Sequence, residues 1–184
     1  MMNYKFNIVG DYGVGKTTFM HSLLPEEKRV NLPDDELTLD FVFYDESDEV
    51  KGKFRIKFIT SFEVVDGCDA YITICDLTDE ESFEYIEDIF KNLVQDKKRV
   101  MLIGNKDDMY EKYDPEDKEW VSKLWKRYEH LSSIRPRRKT NSYIVLHLLQ
   151  QFVDEEIIFY NNYCRVRVVM AEDIVQRRYI SHKI

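Results

Sequence analysis

An eight-residue stretch at positions 10–17 constrains the fold of this chain more than any other feature of its sequence. It reads Gly-Asp-Tyr-Gly-Val-Gly-Lys-Thr and fits the pattern GxxxxGK[ST] without a mismatch. Such glycines let successive backbone N–H groups converge on phosphate oxygens, while the lysine supplies a cation and the threonine hydroxyl can ligate Mg²⁺. A strand-like run at 4–9 precedes the stretch and a helix-like run at 18–24 follows it. Strand, loop and helix therefore occur in the order that a phosphate-binding loop requires.

The predicted phosphate contacts extend from this loop into the first position of the helix. They are Asp11, Tyr12, Gly13, Val14, Gly15, Lys16, Thr17 and Thr18, and Thr17 is also the predicted metal ligand. A plain turn is the alternative interpretation, and the flanking strand and helix disfavour it.

Composition limits the class of protein, the compartment and the partners. The 184 residues suit one domain with a sheet covered by helices on both faces. With 27 basic and 35 acidic residues, the net charge of -8 argues against a nucleic-acid-binding surface. Three cysteines without CxxC spacing predict neither a disulfide framework nor a zinc site, and they indicate a reducing compartment. We therefore expect a cytoplasmic protein.

Membrane attachment is not expected from the sequence. The wholly apolar runs, such as 144–146, are far too short to span a bilayer, and the polar start is unlike a signal peptide. No cysteine stands four residues from the last residue, so we expect no prenyl anchor by that route.

Hydrophobic periodicity predicts strands and helices that alternate along the chain. The predicted strands are 37–43 and 54–58, which would form an antiparallel hairpin at the sheet edge, and 70–76 and 99–104, which would be buried and parallel. The predicted helices are 79–93 and about 115–131, and the polar segment 25–36 reads as a mobile loop. From 154 onward, strand and helix spacing both fit, so periodicity leaves the two open.

This element order, together with three motifs, resembles the Ras-like small GTPases and, within them, the Rab branch. Residues 10–17 are similar to the Rab phosphate loop GDSGVGKT, residues 76–83 resemble the signature DVTDxxSF, and residues 105–108 fit the guanine motif NKxD. The similarity covers about residues 3–152.

The resemblance implies the small G protein fold. This is an α/β P-loop NTPase fold of three layers, αβα, with a mostly parallel six-stranded sheet. The nucleotide-binding domain would span 1–153, and 154–184 would form a C-terminal extension that either packs on this domain or trails from it. The implied cofactors are GDP or GTP with Mg²⁺.

The guanine motif has a physical rationale. A carboxylate that accepts from both N1–H and the 2-amino group of guanine makes a bidentate contact that adenine cannot return. The resemblance gives this role to Asp108, places Asn105 at the base edge and lays Lys106 over the ring. A further base-contacting motif of the family, SAK, falls in degraded form on Asn141, Ser142 and Tyr143.

The chain also departs from the family where GTP is hydrolysed. Residues 59–69 contain no DxxG, and only ten residues separate Thr60 from Tyr71, so the second switch looks deleted. Glu36 stands where the family has its Mg²⁺-ligating threonine. Tyr12 stands beside the expected γ-phosphate, where a phenol either blocks that space or faces solvent.

Three functions follow from these matches and departures. The first is a Rab-like guanine-nucleotide-binding protein with weak or absent GTP hydrolysis, and therefore with no assigned catalytic residue. The second is a non-catalytic Rab mimic that engages trafficking or other effector proteins. The third is a P-loop kinase with Asp76 as its Mg²⁺ carboxylate. In each case we expect a monomer.

Overall fold

The computed structural model describes residues 2–24, 26–44, 50–106, 109, 119–127, 165–170 and 181–182. Its strands are β1 (Met2–Val9), β2 (Glu36–Tyr44), β3 (Val50–Ser61), β4 (Ala70–Asp76), β5 (Val100–Asn105), β6 (Arg165–Met170) and β7 (Ser181–His182). Its helices are α1 (Lys16–Ser22), α2 (Glu80–Gln95) and α3 (Glu119–Arg127), with a 3₁₀ turn at Glu26–Lys28.

The seven strands form one sheet in the order β5-β4-β1-β3-β2-β6-β7. The central part is parallel, since β1 pairs with both β3 and β4, and β4 pairs with β5. The remaining pairs are antiparallel: β2 with β3, β2 with β6, and β6 with β7. Because β4 is buried along its whole length, both faces of the sheet are covered there.

Helices cover the two faces of the sheet because alternate side chains of each strand point to opposite faces. Phe6 and Ile8 of β1 pack in one apolar cluster with Phe19 and Met20 of α1. Val9 of β1 lies in another cluster, against the buried face of α2. The three-layer αβα arrangement predicted from the sequence is therefore confirmed.

Two details of the sheet differ from the expectation. The described residues contribute seven strands rather than six, because 165–170 and 181–182 add to the sheet beyond β2. For the same reason the hairpin of β2 and β3 does not lie at the edge, since β6 pairs with β2 from Leu39↔Met170 to Tyr44↔Arg165. The strand reading of 165–168 is the correct one of the two left open.

The helices have nearly the predicted bounds. A side-chain oxygen of Asp79 accepts from the backbone N–H of Glu81 and caps α2, which then runs two residues beyond its last predicted apolar residue, Leu93. Of the predicted helix at 115–131, residues 119–127 are described and helical. Residues 45–49, between the two strands of the predicted hairpin, and the predicted domain boundary near 153 lie outside the described residues.

The topology positions the site. Parallel strands β1, β4 and β5 end at the same edge of the sheet, where the chain continues into Gly10, Leu77 and Lys106. In parallel α/β sheets, ligands bind in the crevice outside the carboxyl ends of the strands. The fold therefore brings the phosphate loop and the start of the guanine motif together.

Candidate guanine-nucleotide site

The backbone of the phosphate loop depends on glycine at two positions. A Cβ at Gly10 would meet the backbone carbonyl oxygen of Ile74 on the neighbouring strand. Gly15 precedes α1 with φ +94°, a left-handed conformation, and a Cβ there would meet the side-chain amide of Asn105. The loop thus lies close against both β4 and β5.

Lys16 is held over the loop by carbonyl groups. Its Nζ donates to the carbonyl oxygens of Gly10 at 2.8 Å and Asp11 at 2.7 Å. Burial lowers the pKa of Lys16, and the nearby charge of Asp11 partly offsets this. The ammonium is therefore a partly desolvated cation, which strengthens its attraction for an anion.

The ring of Phe62 covers Lys16 on another side. Nζ lies 4.3 Å from the ring centroid, within the range of a cation–π interaction. Phe62 is half exposed, and its backbone carbonyl accepts a 3.0 Å hydrogen bond from the hydroxyl of Tyr85 on α2. Sequence reasoning did not select this residue, because a lone aromatic in a loop gives no periodic signal.

Thr17 lies where the loop 29–35 approaches the phosphate loop. Its Oγ1 donates to the carbonyl oxygen of Asp34 at 3.0 Å, and Thr60 Oγ1 donates to the same oxygen at 3.0 Å. Next along α1, the Nε2 of His21 lies 2.8 Å from the carbonyl oxygen of Pro33. Three oxygen atoms, from Thr17, Asp34 and Thr60, thus meet at the start of α1.

Asn105 links the guanine motif to the phosphate loop. Its Nδ2 donates to the carbonyl oxygen of Val14 at 2.8 Å, across 91 positions of sequence. Beside it, Lys106 adopts φ +62° and its Nζ pairs with Asp76 Oδ2 at 2.6 Å. The other oxygen of Asp76 accepts from both the backbone N–H and the hydroxyl of Thr78.

The remaining residues predicted to contact the nucleotide differ in their exposure, and four of them lie outside the described residues. Tyr12 is 85% exposed and Thr18 is also exposed, whereas Val14 is buried in the core, so only its backbone faces the loop. Gly13 has φ +73° and open space around the position of a Cβ. Asp108, Asn141, Ser142 and Tyr143 lie outside the described residues.

A buried amide holds the segment that follows β3. Asn7 is fully buried on β1, and its Nδ2 donates to the carbonyl oxygen of Ile59 at 3.1 Å and to Ser61 Oγ at 2.7 Å. Its Oδ1 accepts from the backbone N–H of Val65 at 2.9 Å. Sequence reasoning missed Asn7, although a polar residue between Phe6 and Ile8 was a visible exception in an apolar strand.

The described residues fit a nucleotide phosphate and Mg²⁺. The glycine backbone leaves open space at Gly13, and Lys16 offers a partly desolvated ammonium beside it. Mg²⁺ prefers oxygen ligands and usually binds through protein groups together with substrate phosphates. Thr17 would hold it, near the hydroxyl of Thr60. Within the described ranges, no cluster of three or more His, Cys, Asp or Glu side chains forms another metal site.

Comparisons with known proteins agree with this geometry. The model of the Ras family matches residues 5–133. The tRNA modification GTPase MnmE of Mycoplasmoides gallisepticum (strain R(low / passage 15 / clone 2)) is 28% identical over 123 residues, which cover 56% of this chain and 26% of that protein. The chain thus spans about a quarter of the length of this curated relative. Among the described helices, none is both long and apolar enough to cross a bilayer.

Proposed function

This chain belongs to the Ras family, and on that premise we propose that it binds GDP or GTP with Mg²⁺ and hydrolyses GTP slowly or not at all. The observation that supports this most is the loop at 10–17, where Lys16 lies over a glycine backbone that Asn105 holds in place. Membership of the family supports a GTP-binding small GTPase. The weak hydrolysis and the Rab-like character are our proposal.

Weak hydrolysis follows from the groups around the expected γ-phosphate. Only eight residues, 62–69, join β3 to β4, and they contain no DxxG. In enzymes of this class the aspartate, glycine and glutamine of that region hold Mg²⁺, sense the γ-phosphate and orient water. Positioning of the reacting groups supplies most of the rate acceleration in phosphoryl transfer. The loss of this aspartate, glycine and glutamine therefore removes most of it.

The segment around Glu36, which corresponds to the first switch of the family, supports the same conclusion. Glu36, at the position where the resemblance expects a Mg²⁺-ligating threonine, pairs instead with Lys57 at 2.7 Å. Thr17 is then the hydroxyl left to bind Mg²⁺ in the phosphate loop, so we propose that the bound ion is held mainly by Thr17 and the phosphates. This arrangement favours GDP, whose binding needs no γ-phosphate sensor.

The kinase alternative fits the geometry less well. It requires Asp76 as a free Mg²⁺ carboxylate, whereas both oxygens of Asp76 are engaged, one by Lys106 and the other by Thr78. In the non-catalytic mimic, nucleotide would only hold the fold together, and the surface would bind trafficking proteins. A fold that keeps full stability without nucleotide would favour the mimic.

Partners and compartment extend the proposal. We propose that trafficking or other effector proteins bind a Rab-like surface, that the chain works as a cytoplasmic monomer, and that nucleic acid is not a partner. The division into a nucleotide-binding domain at 1–153 and an extension at 154–184 belongs to the same proposal. We propose that the extension packs on the domain, because β6 and β7 add to the sheet beyond β2.

Mass spectrometry of the nucleotide that copurifies tests the proposal. The native chain should release GDP, because the loop and the guanine motif retain it through purification. Lys16→Met should release much less, since it removes the cation and keeps an unbranched side chain that is one atom shorter. Release of adenine nucleotide alone would contradict the proposal and favour the kinase.

A further inference from the structure

Phe62 stands out among the groups around the phosphate loop because its ring meets the binding lysine directly. An ammonium has three N–H donors. In Lys16, two donate to the carbonyl oxygens of Gly10 and Asp11, and the ring of Phe62 covers a further side at 4.3 Å from Nζ. A phosphate oxygen that approaches Lys16 must therefore displace one of these three neighbours.

The ring differs from the two carbonyl groups because it does not belong to the phosphate loop. The two carbonyl groups belong to the glycine loop itself, and Gly10 cannot move far because its Cα is packed against the carbonyl of Ile74. Phe62, in contrast, is 50% exposed and has solvent on one side. A β-phosphate in the loop can replace one of these carbonyl groups as a partner of Lys16, whereas a γ-phosphate would also need the side that the Phe62 ring covers.

The backbone holds Phe62 in this position. Its carbonyl accepts from the hydroxyl of Tyr85, and the carbonyl of its neighbour Ser61 accepts from the backbone N–H of Gly10 at 3.4 Å. On the other side, Ser61 Oγ donates to the carbonyl of Glu63 at 2.6 Å and accepts from Asn7. The ring can swing about its side-chain bonds, while its Cα stays beside the phosphate loop.

The lysine of a GxxxxGK[ST] loop reaches the β- and γ-phosphates of a bound nucleotide. We propose that Phe62 is a specificity-determining residue of this site. Its ring occupies the side of Lys16 that a γ-phosphate would need, and it therefore favours nucleoside diphosphates over triphosphates. This inference rests on the proposed nucleotide binding. The inference names the Phe62 side chain as a cause of the preference for diphosphates, in addition to the missing switch residues.

Calorimetric titration of the full chain with GDP and with a non-hydrolysable GTP analogue tests the role of Phe62. The native chain should bind GDP more than tenfold more tightly than the analogue. Phe62→Ala should reduce this ratio by about tenfold, mainly by tightening the analogue, because loss of one cation–π contact and of the ring volume changes affinity on that scale. Phe62→Leu keeps apolar bulk and should fall between the two.

Two further variants separate the role of the ring from a general effect on the fold. Tyr85→Phe removes only the hydroxyl that holds the Phe62 carbonyl, so it should shift the ratio in the same direction by a smaller factor. Met2→Ala removes an exposed apolar side chain at the opposite end of β1 and should leave the ratio unchanged. Thermal unfolding of each variant without nucleotide should show that the fold is kept.

Each outcome bears on a different claim. If the native chain binds neither nucleotide, the proposed function fails. If it binds GDP and the ratio is the same in Phe62→Ala, or if GDP and the analogue tighten equally, the role of Phe62 is refuted while the proposed function stands.

Discussion

Replacing Asn7 by alanine tests how the short connection after β3 is held. The variant removes three hydrogen bonds of a fully buried side chain, to Ile59, Ser61 and Val65. At about 1 kcal/mol of net stability for each bond, the free energy of unfolding should fall by about 3 kcal/mol. The loss arises at one buried side chain, because the Val65 N–H and the Ile59 carbonyl each lose their Asn7 partner.

Ser61→Ala is the matched control, because it removes one of those bonds together with a more exposed one to Glu63. It should lower the free energy of unfolding by about 1 kcal/mol. The assay is urea denaturation at 25 °C without added nucleotide or Mg²⁺, with the m-value compared among the variants. If Asn7→Ala loses no more stability than Ser61→Ala at an unchanged m-value, the Asn7 side chain does not hold this segment as described.

Three further changes test the local geometry. Lys97 follows the end of α2 with φ +54°, so Lys97→Gly should relieve left-handed strain and raise the free energy of unfolding by about 0.5–1 kcal/mol, seen as a higher Tm; a lower Tm would contradict this. Gly15→Ala should lower stability by about 2 kcal/mol and weaken GDP binding, because φ +94° is strained for alanine and the new Cβ meets Asn105; calorimetry showing native affinity would count against it. Burial raises the pKa of Cys75 to about 12. Folding therefore keeps the thiol protonated, so stability should decline as pH rises above the unfolded pKa of about 9 towards 12, and iodoacetamide at pH 8 should alkylate Cys75 only after unfolding; fast labelling of the native chain would refute its burial.

Local sequence signals predicted the phosphate loop, because their physical basis is local. Gly13 and Gly15 adopt left-handed conformations, with φ +73° and +94°, that the glycine pattern of the motif itself permits. The apolar run of β4 and the spacing along α2 likewise predicted buried elements, since each depends on its own period. These parts of the fold follow from short stretches of chain.

Features that join distant residues could not be read from the sequence in the same way. Asp40 alternates with apolar residues along β2, yet it is buried and accepts two hydrogen bonds from Arg55 across the hairpin. Burial of a carboxylate requires such a partner, and only the register of β2 against β3 supplies it. The pairing of β6 with β2 was unpredictable for the same reason, because it spans more than 120 positions.

In the candidate site, too, the sequence predicted individual residues but not the contacts between distant ones. The sequence indicated Lys16 and Asn105, whereas their bonds to the carbonyls of Asp11 and Val14 depend on the folded loop. Lys106 was expected over the guanine ring through the resemblance, and the structure places its Nζ on Asp76. Phe62 meets Lys16 across 46 positions, so no local pattern could have selected it.

Calorimetric titration of the native chain with GDP and with ADP, both in Mg²⁺, tests the central claim most directly. The account predicts that GDP binds with micromolar or tighter affinity through the loop at 10–17, and that ADP binds at least a hundredfold more weakly because adenine cannot return the bidentate contact expected of Asp108. Equal binding of the two nucleotides, or no heat with GDP, would contradict it.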